Sequence, residues 1–161
     1  MSNLLFEICI DSVDGAVAAQ QGGAQRVELC DNLVEGGTTP SIGTIRLARA
    51  NITIGLNVII RPRGGDFCYT PLELEVMRQD ILAAREAGAD GVVIGLLLPD
   101  GRVDVARTRA LVELARPLSV TFHRAVDLCR DPLEALEDLA AIGVDRILTS
   151  VCRPTALEGA A

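Results

Sequence analysis

One phrase occurs three times in this chain and narrows the folds open to it. Its copies are Gly23-Ala24-Gln25-Arg26-Val27, Gly88-Ala89-Asp90-Gly91-Val92 and Gly143-Val144-Asp145-Arg146-Ile147. In each, a glycine can end a helix in the left-handed conformation, a short polar turn follows, and an apolar strand starts. The copies lie about 65 and 55 residues apart, roughly two βα units of the repeat that the pattern suggests. Between them the spacing predicts strands over 4–10, 26–30, 54–61, 91–97, 118–123 and 146–150. Helix starts are marked at Ser12 or Asp14, at Pro40, at the capping box Thr70-Pro71-Leu72-Glu73, at Asp104, and at Asp131-Pro132-Leu133-Glu134. A last helix is expected to begin near Pro154 and run toward Ala161.

Strict alternation of strand and helix implies a parallel sheet with right-handed crossovers. A doubly wound open sheet and a (β/α)₈ barrel both satisfy it. No strand is followed by GxGxxG or GxxxxGK[ST], which weakens the nucleotide-binding open sheets. Polar residues gather at several strand ends, which favours an α/β barrel of the TIM type. Such a barrel usually needs about 250 residues. The 161 residues would supply only six βα units, so residues 1–161 are expected to form a single, incomplete TIM-barrel domain.

Composition removes several functions. The net charge of −7 argues against nucleic acid or an anionic membrane as a partner. All 15 basic residues are arginine, so Schiff-base chemistry and a lysine general base are excluded. No apolar run approaches the roughly 20 residues that span a bilayer. The five cysteines are scattered, odd in number and without a CxxC pair, which fits reduced thiols in a cytoplasmic protein.

The chemistry concentrates at strand ends. Asn57-Val58-Ile59-Ile60 is an apolar run that stops at Arg61-Pro62-Arg63-Gly64-Gly65. Arg61 would stand where α/β folds place their ligands, and with Arg63 it could grip a carboxylate or phosphate. It could equally close a barrel end by pairing with a carboxylate. Glu7, Cys9 and Asp11 share one strand face, and Glu28 and Cys30 share another. Glu7 and Glu28 are charges in apolar runs and need partners, for which Arg61 and Arg63 are the candidates. His123, the sole histidine, could act as general acid/base beside Glu7 or Glu28. It could also join Cys9 and Cys30 as a soft copper(I) ligand set, or simply be hydrogen-bonded at the rim.

Several of these phrases together resemble the CutC family: EICIDS at 7–12, RVELCDNL at 26–33, EGGTTPS at 35–41, IRPRGGDF at 60–67, TFHRA at 121–125 and ILTS at 147–150. The resemblance runs along nearly the whole chain in unbroken order. It implies a cytoplasmic TIM barrel that associates as a homo-oligomer and is linked to copper homeostasis. It matches the family's cysteine pattern at Cys9 and Cys30 and its polar pocket at Glu7, Glu28, Arg61 and His123. Family members continue through a seventh and an eighth strand, which this chain would lack. Three functions are therefore expected: copper(I) handling, an enzyme acting on a small anionic metabolite, or an inactive fragment.

Overall fold

The computed structural model describes residues 4–160. Six strands, β1 (Glu7–Ile10), β2 (Arg26–Leu29), β3 (Gly55–Ile59), β4 (Gly91–Ile94), β5 (Ser119–Phe122) and β6 (Arg146–Ile147), lie side by side in chain order. Every neighbouring pair is parallel. Helices α1 (Val13–Gln21), α2 (Ile42–Asn51), α3 (Pro71–Glu86), α4 (Val105–Ala115) and α5 (Pro132–Ile142) connect them, and α6 (Ala156–Gly159) follows β6. The sequential strand order decides between the two architectures that the alternation allows: the sheet curls into six units of a TIM-type barrel.

The repeated glycines behave as expected. Gly23, Gly88 and Gly143 all have φ near +90°, at 92°, 86° and 87°. A side chain there would clash with its own backbone, so glycine is the residue that lets each chain segment leave its helix and turn into a strand. Helix starts match at Ser12, Thr70, Asp104 and Asp131, whose side chains accept backbone N–H groups of the first turn. The Thr70–Glu73 capping box is complete. Pro40 is the exception. Ser41 caps α2 by accepting from Thr44 N, so Pro40 stands before the helix and not at its first position. The strands are also shorter than the apolar runs suggest: after β3 and β4 the runs continue as buried loop at Ile60, Leu96 and Leu97, whereas Leu4, Leu5 and Phe6 before β1 and Leu148 after β6 are exposed and outside the strands. Ala161, the expected end of the last helix, lies outside the described residues.

Two layers form. On the outer face of the sheet, Val27, Leu29, Leu56, Val58, Val92, Ile94, Val120 and Phe122 pack under Ile45, Met77, Ile81, Leu111 and Leu139 of the helices. These are the alternate residues of each strand, and their burial supplies most of the hydrophobic stabilisation. The other alternate residues face the barrel interior, where only Cys30, Ile59 and Val93 make an apolar cluster. Below that cluster the interior is polar. Arg26 binds Glu7 through Nε at 2.7 Å, and Asn57 Nδ2 donates to Glu7 at 3.2 Å. Arg146 donates to Thr121 Oγ1 at 3.1 Å and to Ser119 Oγ at 2.7 Å. Strand starts thus carry a hydrogen-bonded plug, and strand ends carry the pocket.

β6 has only two residues in the ladder, so the loop after it needs another anchor. Asp127 provides it from the turn after β5. Its carboxylate accepts from Ser150 N at 3.0 Å, Cys152 N at 3.1 Å, Arg124 Nε at 2.9 Å, and the Thr149 hydroxyl. Burial opposes its charge, but these donors together hold the Asp127 carboxyl well below the usual carboxylate range. The folded state therefore gains stability from this group above about pH 4, its ordinary value, and loses it as pH falls further. Asp127→Asn should lower stability by about 2 kcal/mol at pH 7 and flatten the acid limb of a pH-dependent melt. An unchanged acid limb in the variant would contradict the assignment.

Candidate functional site

The ends of β1, β2, β3 and β5 enclose a cavity of about 340 Å³. Cys9 and Glu28 come from the strands themselves, and Cys30 follows β2 by one residue. Arg61 and His123 stand just past β3 and β5, and Phe67 closes one side from the loop after β3. This is the carboxyl end of the sheet, where barrel folds build sites from the loops that follow their strands.

Arg61 is seated by its backbone first. Its N–H donates to Thr39 Oγ1 and its carbonyl accepts from Thr39 N, both at 2.9 Å. Its guanidinium then points into the loops. Nη1 donates to the carbonyls of Glu35 (2.6 Å) and Gly37 (2.8 Å), and Nη2 to that of Gly65 (3.1 Å). The guanidinium carbon lies 4.9 Å from the centre of the Phe67 ring, a cation–π contact. Only 5% of Arg61 is exposed, and its Nε finds no acceptor.

His123 caps the short 3₁₀ turn after β5. Its Nδ1 accepts from Ala125 N at 3.1 Å. The ring nitrogen that accepts cannot carry the proton, so the neutral imidazole bears it on Nε2. Nε2 is buried and has no partner. Burial, and then the Arg61 charge, push the His123 pKa down to about 3, so the ring is neutral throughout the physiological range. The ring lies against Gly95, where a Cβ would come within 2.2 Å of Cε1. Glycine inside an apolar strand run is a sign of such close approach, and this one was open to notice in the sequence.

Cys9 and Cys30 are side by side, with sulfurs 3.5 Å apart. Cys9 is exposed and Cys30 is 1% exposed. The hydrogen bond from Cys30 lowers the Cys9 pKa, against burial and the nearby carboxylates. The same bond, with burial, raises that of Cys30. The pair therefore loses its first proton from the exposed sulfur. Glu28 lies beneath, its Oε1 3.9 Å from the Cys30 sulfur. Burial and then the Glu7 charge push Glu28 up to about 7, against the pull of Arg26 and of the Cys30 hydrogen bond.

Four expectations need correction. Glu7 does not line the pocket. It belongs to the polar plug, bound to Arg26 and Asn57, because it starts β1 while the pocket lies at the strand ends. Arg63 is also outside, held by Glu73 (2.5 Å) and Asp66 (3.0 Å) in the loop before α3. Neither Arg61 nor Arg63 pairs with Glu7 or Glu28, since Arg61 spends its donors on carbonyls. Finally, no group of three His, Cys, Asp or Glu side chains gathers as a metal site among the described residues. His123 does not complete one with Cys9 and Cys30, because a metal on Nε2 would force the proton to Nδ1, against the Ala125 N–H.

The family model for CutC matches residues 4–161. The chain belongs to the CutC family. It is 58% identical over 157 residues to a CutC family protein of Chromobacterium violaceum, covering 98% of this chain and 64% of that one. It is 52% identical to the mouse copper homeostasis protein cutC homolog, covering 98% and 58%. A solved CutC of Streptococcus agalactiae superposes with a TM-score of 0.91 at 36% identity, over 97% of this chain and 78% of that one. The chain thus spans less than two thirds of the length of these curated relatives. Among the described residues no helix is long and apolar enough to cross a membrane.

The single histidine makes its state directly measurable. Its imidazole ¹⁵N signals should show one neutral, Nε2-protonated ring from pH 5 to 8. A titration near the ordinary value of about 6.5 would contradict the seat described above.

Proposed function

We propose that this chain binds copper(I) through Cys9 and Cys30. The observation that carries the reading is the 3.5 Å separation of two thiols at the mouth of the strand-end cavity, with no disulfide between them. Thiolates are soft ligands and select copper(I) over harder ions. Two sulfurs offer a low-coordinate site, which suits an ion that is to be passed on. Cys9 is the sulfur an incoming ion meets: it is exposed, and the hydrogen bond from Cys30 lowers its pKa. Cys30, behind it, gives up its proton as the second bond forms, so loading releases protons. The name of the mouse relative supports the copper connection.

The protein is read as a cytoplasmic homo-oligomer. Unpaired thiols suit a reducing compartment.

The test is an anaerobic competition titration with a chromogenic copper(I) chelator. The wild-type chain should retain one equivalent of copper(I). Cys9→Ser/Cys30→Ser should release it, with affinity lower by at least about 100-fold. Equal retention by the double variant would remove the proposal.

A further inference from the structure

We infer that the same cavity binds a small oxyanion, a carboxylate or a phosphate, between the Arg61 guanidinium and the His123 Nε2–H. This does not rest on the copper reading, since it uses neither thiol.

Arg61 is a buried cation without a counter-charge. Its three hydrogen bonds all end on neutral carbonyls, those of Glu35, Gly37 and Gly65. It makes no salt bridge among the described residues, whereas Arg26, Arg49, Arg63, Arg116 and Arg124 each have a carboxylate. A buried charge is costly unless paired, and the Arg61 Nε–H adds a donor with no acceptor. His123 presents the same deficit. It is 5% exposed, and the proton assigned to Nε2 has nowhere to go.

The two deficits share one cavity, and both border Phe67. The ring centre lies 4.8 Å from that of the imidazole and 4.9 Å from the guanidinium carbon. Both groups are rigidly held: Arg61 by three loop carbonyls, His123 by the Ala125 N–H and by contact with Gly95. Donors fixed before a ligand arrives lose little entropy on binding it. An acceptor with negative charge satisfies both and supplies the missing counter-charge. A neutral imidazole suits this role, since it donates without adding a second cation. Glu28 and Glu35 also line the cavity, so the ligand must be small, with its oxygens turned toward Arg61 and His123. The net charge of −7 gives the protein no general attraction for anions, so binding would report this site.

The experiment is a titration of the chain in copper-free buffer with a copper chelator, using inorganic phosphate in one arm and malonate in the other. The ¹H–¹⁵N signal of the single histidine Nε2–H is followed. A saturable shift with phosphate or with malonate is expected, and the arm that produces it names the class. His123→Asn keeps an oxygen to cap Ala125, but its shorter amide does not reach the place of Nε2, and it should weaken binding about tenfold by calorimetry. Arg61→Lys keeps the charge but loses the Nε–H and the planar fork, and should weaken it at least as much. No shift of the wild-type imidazole with either anion would overturn the inference. So would wild-type affinity in a folded His123→Asn chain.

Discussion

The strand-end architecture depends on one buried guanidinium. Arg61 ties the loop after β2 to the loop after β3 by donating to carbonyls in both. Loop carbonyls buried without partners would each cost free energy, and here one side chain satisfies three of them. Phe67 lies against that guanidinium and, tilted by 49°, against the imidazole of His123, so the loop after β3 is also fixed against the end of β5. The cavity wall is therefore set by a cation whose charge is answered by dipoles alone.

Around that anchor the interior divides by height. The strand starts hold a network of Glu7, Arg26, Asn57, Ser119, Thr121 and Arg146 in which the Arg26, Asn57 and Arg146 donors meet acceptors and only the Asn57 Oδ1 is left over. Cys30, Ile59 and Val93 make a thin apolar floor above it. Above the floor lie groups whose hydrogen-bonding capacity is not used up: the thiol pair, the Arg61 Nε–H and the His123 Nε2–H. The division explains why chemistry belongs to one end only. A network whose donors are paired stabilises, whereas unsatisfied donors held rigidly are what a ligand can use.

Much of this was legible in the sequence. The thrice-repeated glycine phrase gave the alternation, and period-two patterning gave the inward faces of β1 and β2. The abrupt stop at Arg61 located the strand end, and the alternation put Cys9 and Cys30 on inward faces of neighbouring strands, where their sulfurs lie 3.5 Å apart. Alternation tells which face a residue takes but not which layer it occupies, and so Glu7 was placed too high. The partners of Arg61 and Arg63 depend on loop paths of several residues, which carry no periodic signal. For His123 the deciding contact is a backbone N–H two residues on, and sequence patterns do not reveal which ring nitrogen it meets. Phe67 and Gly95 matter only through what packs on them.

The central claim is that the thiol pair, without the imidazole, makes the copper(I) site. X-ray absorption on the chain loaded with one equivalent of copper(I) tests it most directly. The account predicts a first shell of sulfur from Cys9 and Cys30 with no imidazole scattering. A nitrogen ligand with the outer-shell pattern of a histidine ring would contradict it, because His123 is the only histidine and its Nε2 would then have to exchange its proton for the metal.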